Sequence, residues 1–313
     1  MLRDLRRADG PRFLDLMKRG FPEESALLGG RPEEFEKVFR RIFRWDSRVF
    51  LTVLKAFRRP IVRALVVEVD GRVVAVSLVT FPAGAAYVSN VVVDPEFRRR
   101  GYARRMLDEA RRSARQARRG YVVLDVLERN TGARALYDAL GFRPLRLRIQ
   151  LLQDAMDRFA SPPSASVPAI RPMRRSDVPR LIDILRRQTP PEVERVLPNR
   201  GERFLVSRTT NRMLVSEEAS WVVDRGQGAE GHVGATVSRA MEAAHLTAPT
   251  LAASVDDRLA ADLVRTAGAW CAAHGAPRIL SMVAADNPRG RAALEAVGFT
   301  RALPLWTLFR TVD

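Results

Sequence analysis

The residues with the clearest chemistry lie between positions 94 and 107, in the stretch DPEFRRRGYARRML. Three arginines precede Gly101, and small Ala103 follows at the start of a segment with the pattern of a helix. The first turn of a helix presents backbone N–H groups that lack intrahelical partners, together with the positive end of the helix dipole. A glycine before that turn lets a ligand approach the backbone closely. The stretch therefore predicts a loop that binds a phosphate or a diphosphate.

The elements that must position this loop follow from the hydrophobic pattern. Apolar runs predict strands, helical periodicity predicts helices that end near Gly120 and Gly141, and Asp70-Gly71 predicts a two-residue hairpin turn. The predicted order is strand 61–69, strand 72–81, strand 86–93, helix 103–118, strand 121–127, a helix before Gly141 and a last strand at PLRLRIQLL. This order predicts an α/β fold, a mixed and mostly antiparallel twisted sheet flanked by helices.

The same unit is present twice in the chain. The recurring pairs are LRDLRRADGPRFLDLM (2–17) with IRPMRRSDVPRLIDIL (170–185), and ERNTGARALYDALGF (128–142) with ADNPRGRAALEAVGF (285–299). Residues 159–169 between the copies are rich in Pro, Ser and Ala and carry no charge, which is typical of a linker. We therefore predict two tandem domains of the same fold, residues 1–158 and 170–313.

Two motifs resemble the GCN5-related N-acetyltransferases, the GNAT superfamily. Arg98, Gly101 and Ala103 resemble the R-x-x-G-x-G/A signature of that family, and Asn130 followed by Tyr137 resembles its second motif, N-x6-Y. The resemblance covers most of the first half of the chain and, in weaker form, the second half. It implies acetyl-CoA as a co-substrate, and direct transfer of the acetyl group to a primary amine of a small molecule or peptide.

The resemblance also implies roles for single residues. The pantetheine arm would pair with the backbone near Val91 and Val93, where strand 86–93 parts from strand 121–127, and a nearby N–H would stabilise the oxyanion. The Tyr137 hydroxyl would protonate or stabilise the departing thiolate. The implied cofactor-binding residues are Val91, Val92, Val93, Arg98, Arg99, Arg100, Gly101, Tyr102, Ala103, Arg104 and Asn130.

The acceptor side is less determined by the sequence. An amine is mostly protonated at pH 7, so some group must take a proton before or during the attack. The first half contains no cysteine or histidine, which leaves a carboxylate acting directly or through water, and Glu68 is our candidate base. The alternatives are Glu23, Glu24 and Glu128, and a solvated or salt-bridged carboxylate is an open reading for each. The segment 21–60 is expected to shape the acceptor pocket, and candidates to line its inner end are Tyr87, Ser89 and Asn90.

The second copy departs from the family pattern at the positions that carry the chemistry. The offset that aligns the closing motifs places SVDDRLAADL (254–263) opposite the phosphate loop. Gly101 then stands opposite Arg258, Tyr137 stands opposite Leu294, and two aspartates bring negative charge to the phosphate position. We therefore expect an intact first copy and a degenerate second copy that completes the fold or forms a wall of the acceptor site; the alternative is a second cleft adapted to another ligand.

Composition limits the class of protein. No apolar run approaches the length of a membrane span, the first residues lack the apolar region of a secretory signal, and Cys271 is the single cysteine. No Cys/His cluster has metal-ligand spacing. We expect a cytoplasmic protein without a metal, which is a monomer with its two domains arranged as a pseudo-dimer, or a homodimer.

Two other functions stay open at this point. A non-catalytic acyl-CoA sensor would need the same loop and no turnover. A nucleic-acid-binding protein would explain the net charge of +17 and the arginines of helix 103–118. That second alternative is disfavoured because the arginines spread around the helix, Asp108 and Glu109 interrupt them, and no nucleic-acid-binding motif frames them.

Overall fold

The structure is a computed structural model that describes residues 1–20, 62–159, 169–201, 204, 216–238 and 243–312. The acceptor-loop segment 21–60, with Glu23 and Glu24, lies outside the described residues, as does most of the predicted linker. In the described ranges, no helix is long and apolar enough to cross a membrane.

Both halves of the chain repeat the same order of elements. In the first half the elements are β1 (Leu2–Asp4), α1 (Gly10–Gly20), β2 (Val62–Val69), β3 (Arg72–Thr80), β4 (Ala85–Val93), α2 (Tyr102–Gln116), β5 (Tyr121–Leu127), α3 (Thr131–Ala139) and β6 (Arg143–Gln153). In the second half they are β7 (Ile170–Pro172), α4 (Val178–Gln188), α5 (Pro191–Val196), β8 (Ser216–Asp224), β9 (Ala229–Ser238), β10 (Ala244–Thr247), β11 (Thr250–Leu251), α6 (Asp257–Ala273), β12 (Ile279–Ala284), α7 (Pro288–Glu295) and β13 (Thr300–Thr311).

One 13-stranded sheet runs through the described residues of both halves. Its order is β1-β2-β3-β4-β5-β13-β6-β12-β10-β9-β8-β7, with β11 paired to β9. The pairs β4–β5 and β10–β12 are parallel, and the other paired strands are antiparallel. The sheet is therefore mixed and mostly antiparallel with helices packed against it, which confirms the predicted fold class.

The last strand of each half is exchanged. β6 of the first half pairs with β12 of the second half, and β13 of the second half pairs with β5 of the first half. β6 and β13 also pair with each other at the centre of the sheet. The sequence predicts these strands but not the exchange, because an alternating pattern specifies which face of a strand is buried and not which strand lies beside it.

Helices cover both faces of the sheet. Apolar side chains of β4 and β5 pack with α2 and α3 on one face, and this packing includes Trp306 of β13. Trp306 is paired with Leu147 of β6, so their side chains lie on the same face of the sheet. Ile149 and Leu151 follow Leu147 at every second residue, so they lie on that face too, and they pack with α6 and α7. These four helices therefore share one face, which we call the α2 face. α1, α4 and α5 pack on the opposite α1 face.

Candidate active site

β4 and β5 separate at one end, and we call the gap between them the fork. In the described strands their parallel pairing stops at Val88 and Leu124. A β-bulge against β3 follows in β4, and Asn90 within the bulge has a φ of 58°. Asparagine tolerates this left-handed conformation better than most side chains do. The bulge turns β4 away from β5, so the opening implied by the resemblance exists in the fold.

The loop between β4 and α2 contains two residues in the left-handed conformation. Arg99 has a φ of 62°, and Gly101, directly before α2, has a φ of 80°. Within the described part of the chain, the backbone N–H groups of residues 99–104 donate no hydrogen bond. A Cβ placed on Gly101 would meet no atom within 4 Å. Unpartnered N–H groups beside an open position at a helix start are what an anion-binding loop requires.

Asp94 anchors the start of this loop. Its side chain is buried and accepts hydrogen bonds from Arg12 of α1, from Arg72 at 2.9 Å and from the backbone N–H of Glu96 at 3.3 Å. Burial alone would raise the pKa of this carboxyl, but the hydrogen bonds and the two guanidinium charges hold it below its ordinary value. The anchor is therefore an anion that ties the loop to α1 and β3.

The arginines of the loop differ in their contacts. Nε of Arg98 donates to the backbone oxygen of Val93 at 3.3 Å, and Arg100 donates to a loop carbonyl and stacks over an aromatic ring at 5.0 Å from its centroid. Arg99 and Arg104 are exposed. Two of these arginines therefore brace the loop, while Arg99 and Arg104 are accessible to an anion.

The three valines that end β4 point to different faces. Val92 is 4% exposed and packs against α1. Val91 and Val93 pack on the opposite side with apolar residues next to α2. Val92 is therefore part of the core, whereas Val91 and Val93 are half-buried at its edge beside α2.

Asn130 and Tyr137 both belong to α3. Asn130 caps the helix, because its side-chain oxygen accepts the N–H of Ala133 at 3.1 Å. Tyr137 is 6% exposed and packs among apolar residues of the fork and against Phe142, with ring centroids 5.8 Å apart. Its hydroxyl has no hydrogen-bond partner among the described residues, and burial raises its pKa to about 12. Tyr137 therefore borders the α2 face of the fork with a protonated, unengaged hydroxyl.

On the α1 face, four polar side chains meet at the point where β4 and β5 part. Tyr87 of β4 donates its hydroxyl hydrogen to Asp125 of β5. Asp125 also accepts from Arg148 of β6 at 2.8 Å and from Thr307 of β13 at 2.6 Å. We call these residues the fork cluster. Two of its members lie on the exchanged strands, so both halves of the chain contribute to it.

Burial and the charge of Asp125 determine the protonation states of Tyr87 and Arg148 in the fork cluster. Burial raises the pKa of Tyr87, and the negative charge of Asp125 raises it further. Burial opposes the charge of Arg148, but the negative charge of Asp125 and the hydrogen bonds to Asp125 and Tyr87 raise its pKa overall. The cluster therefore holds a neutral phenol and a guanidinium around one carboxylate.

Only Tyr87 of the fork cluster was a candidate from the sequence. The signal for Asp125 is a single carboxylate within the apolar strand YVVLDVL. Arg148 is one of the arginines that alternate with apolar residues in PLRLRIQLL, and Thr307 gives no signal. Their meeting depends on the strand exchange, which the sequence does not predict.

The structure corrects the choice of Glu68 as the base. Glu68 lies on β2, which β3 separates from β4, and its carboxylate accepts from Arg3 at 2.7 Å. Arg3 also binds Asp9 at 2.7 Å, and the second half repeats this network with Arg171, Asp177 and Asp224. Because the same network occurs in both halves, we assign Glu68 a structural role. Of the other candidates, Glu128 accepts from the indole of Trp306 at 3.2 Å, and Ser89 lies just beyond the last β4–β5 pair.

Among the described residues of the second half, the turn before α6 is not an open loop. α6 begins at Asp257, and the carboxylate of Asp256 accepts the N–H of Leu259 at 2.8 Å, so it satisfies a first-turn donor. The strand-to-helix turn is also closed by Arg289 of α7, which donates to the carbonyl oxygens of Ala252 and Val255. The corresponding residue of α3 is Gly132, which has no atom within 4 Å of an added Cβ.

The sequence alignment of the two loops is off by one residue at its start. The N–H of Val255 donates to the oxygen of Ala252 as the N–H of Phe97 donates to that of Asp94. The offset of the closing motifs would place Val255 opposite Arg98, but the structure places it opposite Phe97. Gly101 still corresponds to Arg258, so the second loop is one residue shorter.

The comparisons with known proteins agree with this geometry. Residues 22–142 match the family model described as the Acetyltransferase (GNAT) family. The chain is similar to a tandem GNAT protein from the clavulanic acid biosynthesis pathway, with 18% identity and a TM-score of 0.65 over 100% of this chain and 98% of that one. It is also similar to a GCN5-related N-acetyltransferase from Sphaerobacter thermophilus, with 16% identity and a TM-score of 0.67 over 100% and 96% of the two chains. No curated protein matches the chain at a significant level.

The fold is that of tandem acetyltransferases, and the family match lies on the half of the chain that has the open loop and the fork. Residues 22–142 therefore match the GNAT family model, and the whole chain shares the fold of tandem GNAT proteins.

Proposed function

We propose that the protein is an acetyl-CoA-dependent N-acetyltransferase whose first half, residues 1–158, is the working domain. The observation that carries the proposal is the row of unpartnered backbone N–H groups at residues 99–104, directly beside the fork. Within the described chain this arrangement belongs to the first half, because Asp256 and Arg289 fill the equivalent place in the second. A tandem protein with one working site follows.

The co-substrate would extend from the loop into the fork. The N–H groups of residues 99–104 would bind the diphosphate, with Arg99 and Arg104 adding positive charge. Beyond Val88, the edge of β4 that faces β5 has no paired strand among the described residues, so it can pair with the pantetheine amides. The oxygen of Asn130 is used in capping α3, so its NH2 group would donate to the arm.

The side chains at the fork support a direct transfer. The amine nitrogen forms a bond to the acyl carbon, the carbon–sulfur bond breaks, and the amine loses a proton to solvent. The Tyr137 hydroxyl gives its proton to the departing thiolate and regains one from solvent, so protons balance. A pKa of about 12 keeps this hydroxyl protonated at neutral pH. A backbone N–H near Val91 or Val93 would stabilise the oxyanion.

The test of this proposal is binding followed by turnover. Acetyl-CoA should raise the melting temperature, calorimetric titration should give one site per chain, and Gly101→Glu should abolish both signals because it places a carboxylate in the phosphate position. Thiol release in an amine panel should then show turnover. Stabilisation without turnover on any amine would instead support an acyl-CoA sensor.

Gly275→Glu is the matched control. Gly275 has a φ of +74° and open space around an added Cβ, so the substitution carries the same backbone strain at a place remote from the loop. It should leave the acetyl-CoA shift unchanged. An equal loss of the shift in both variants would contradict the assignment of the loop.

A further inference from the structure

We propose that the fork cluster binds the acceptor, and that the acceptor is an amine that also carries a carboxylate. Tyr87 would accept an N–H of the amine, and Arg148 would bind the carboxylate. This inference rests on the proposed function, since it names the substrate class of the same site.

The position of the fork cluster is on the side of the fork opposite to Tyr137. Tyr137 packs on the α2 face, whereas Tyr87 and Asp125 lie on the α1 face at the last β4–β5 pair. A thioester in the fork would therefore have its sulfur near Tyr137 and its acyl carbon accessible from the fork cluster. An amine adds to one face of the thioester carbonyl, and an amine held by the fork cluster would reach that carbon from the α1 face.

The hydrogen bond to Asp125 fixes what Tyr87 can recognise. Because the hydroxyl hydrogen is donated to Asp125, the oxygen can act only as an acceptor, and Arg148 interacts with one of its lone pairs while the other is left for a ligand. Asp125 already accepts from Tyr87, Arg148 and Thr307, so it acts as a positioning residue. An amine N–H is the complement of an oriented phenol oxygen.

Arg148 has unused capacity for an anion. A guanidinium has five N–H donors, and in the described structure Arg148 uses them toward Asp125, at 2.8 Å, and toward the oxygen of Tyr87. These two contacts leave donors of the guanidinium unused, and the side chain is 29% exposed, so it is partly accessible to a ligand. Arg146 lies two residues away on the same side of β6, and its charge is balanced by Asp286. A planar carboxylate fits the donor geometry of Arg148.

The second half contributes one side chain to the fork cluster and covers the sheet beside it. Thr307 on the exchanged strand β13 holds Asp125 from the side opposite Tyr87. Val196 at the end of α5 packs on Ala85 of β4, so the second half covers the α1 face beside the fork cluster. In the second half, the pair that corresponds to Asp125 and Thr307 is Met282 and Gln150, which has no carboxylate.

Matched pairs of acceptors test the inference directly. Acetyl transfer should be measured with amino acids and their amides, such as glycine with glycinamide and alanine with alaninamide, and the rates should be compared per unprotonated amine, because the members differ in amine pKa as well as in negative charge. The carboxylate member should have a kcat/KM about 10- to 100-fold higher, the effect of a charge-assisted hydrogen bond. Equal use of the two members by the wild-type protein would overturn the proposal.

Variants then locate the effect. Arg148→Gln should remove the preference through the KM of the acceptor, with the KM of acetyl-CoA unchanged, and Arg148→Lys should restore part of it. Arg143→Gln, on an exposed arginine of the same strand, should behave as wild type. A preference that persists in Arg148→Gln would overturn the assignment of Arg148. Transfer to amines without any carboxylate preference would refute this inference alone, whereas absence of transfer to every amine would refute the proposed function as well.

Discussion

At the residue scale, Tyr137 combines burial with a hydroxyl that has no partner in the described structure. The ring is enclosed, but the oxygen is not among the fully enclosed polar atoms that lack a partner, so it stays accessible from the fork. Its neighbours are apolar side chains of the fork, so stability gives no reason for the oxygen. A role toward a ligand in the fork explains it.

Tyr137→Phe should slow acetyl transfer by about 100-fold while acetyl-CoA binding stays nearly the same, because proton donation is lost and packing is kept. The free energy of unfolding should be unchanged or slightly higher, since no hydrogen bond to a described residue is broken. In the wild type the pKa of about 12 lies above the ordinary value of 10.0, so ionisation of Tyr137 should not lower the rate below about pH 10. Steady-state kinetics, calorimetry and a pH–rate profile measure these effects. A parallel fall of rate and binding would show that Tyr137 is structural.

Residue types were the most predictable part of the site. Gly101 follows from a short motif, because a positive φ directly before a helix favours glycine. Tyr137 follows from a second short motif, because its position in α3 relative to Asn130 is fixed by the spacing of that motif. Glu68 was wrong as the base, since a lone carboxylate in a strand does not show whether an arginine will pair with it. The partners of Asp125 could not be predicted, because Arg148 and Thr307 are distant in the sequence and meet through tertiary pairing.

At the element scale, Asp94 joins the phosphate loop to two other elements. Arg12 belongs to α1, and Arg72 begins β3, so one buried carboxylate determines where the loop starts relative to the sheet. The loop itself is held by few other contacts of this kind. The orientation of the loop toward the fork therefore depends on the ion pairs of Asp94, a residue that is only 1% exposed.

Asp94→Asn should lower the free energy of unfolding by roughly 2–3 kcal/mol, because two guanidinium groups lose their buried counter-charge. The melting shift caused by acetyl-CoA should also fall. The pKa of Asp94 lies below its ordinary 3.8 in the folded protein, so this stabilisation is present above that pH and is lost as the pH falls further. Urea denaturation at neutral and acid pH measures the difference.

Asp15→Asn is the control for that variant. Asp15 pairs with the same Arg12 but is 36% exposed, so its loss should cost less than about 1 kcal/mol. Equal destabilisation by the two variants would contradict the role of Asp94 as the anchor.

At the scale of the whole molecule, the strand exchange makes the two halves one folding unit. The β5–β13 and β6–β12 pairs each join one half to the other, and β6–β13 lies at the centre of the sheet. The duplication and the class of fold were predictable, because periodicity and repeated motifs are local properties of the sequence. The continuous sheet was not, since it depends on which of two similar strands lies beside β5.

A protease site inserted into the linker at residues 159–169 tests this directly. After cleavage the two pieces should elute together at the volume of the intact protein and retain acetyl-CoA binding, because the exchanged strands keep each piece in the other's sheet. Refolding after denaturation should become dependent on protein concentration. Separation of the pieces under native conditions would contradict the exchanged arrangement.

The exchange also has a consequence for synthesis on the ribosome. The neighbour of Leu127 in β5 is Leu305, close to the last described residue of the chain. Domains of most proteins can complete folding while later residues are still being added. Here β5 lacks one neighbour, and Asp125 lacks Thr307, until β13 has left the exit tunnel. The first half is translated first, yet the acceptor site that we propose for it can be completed only after β13 of the second half has been synthesised.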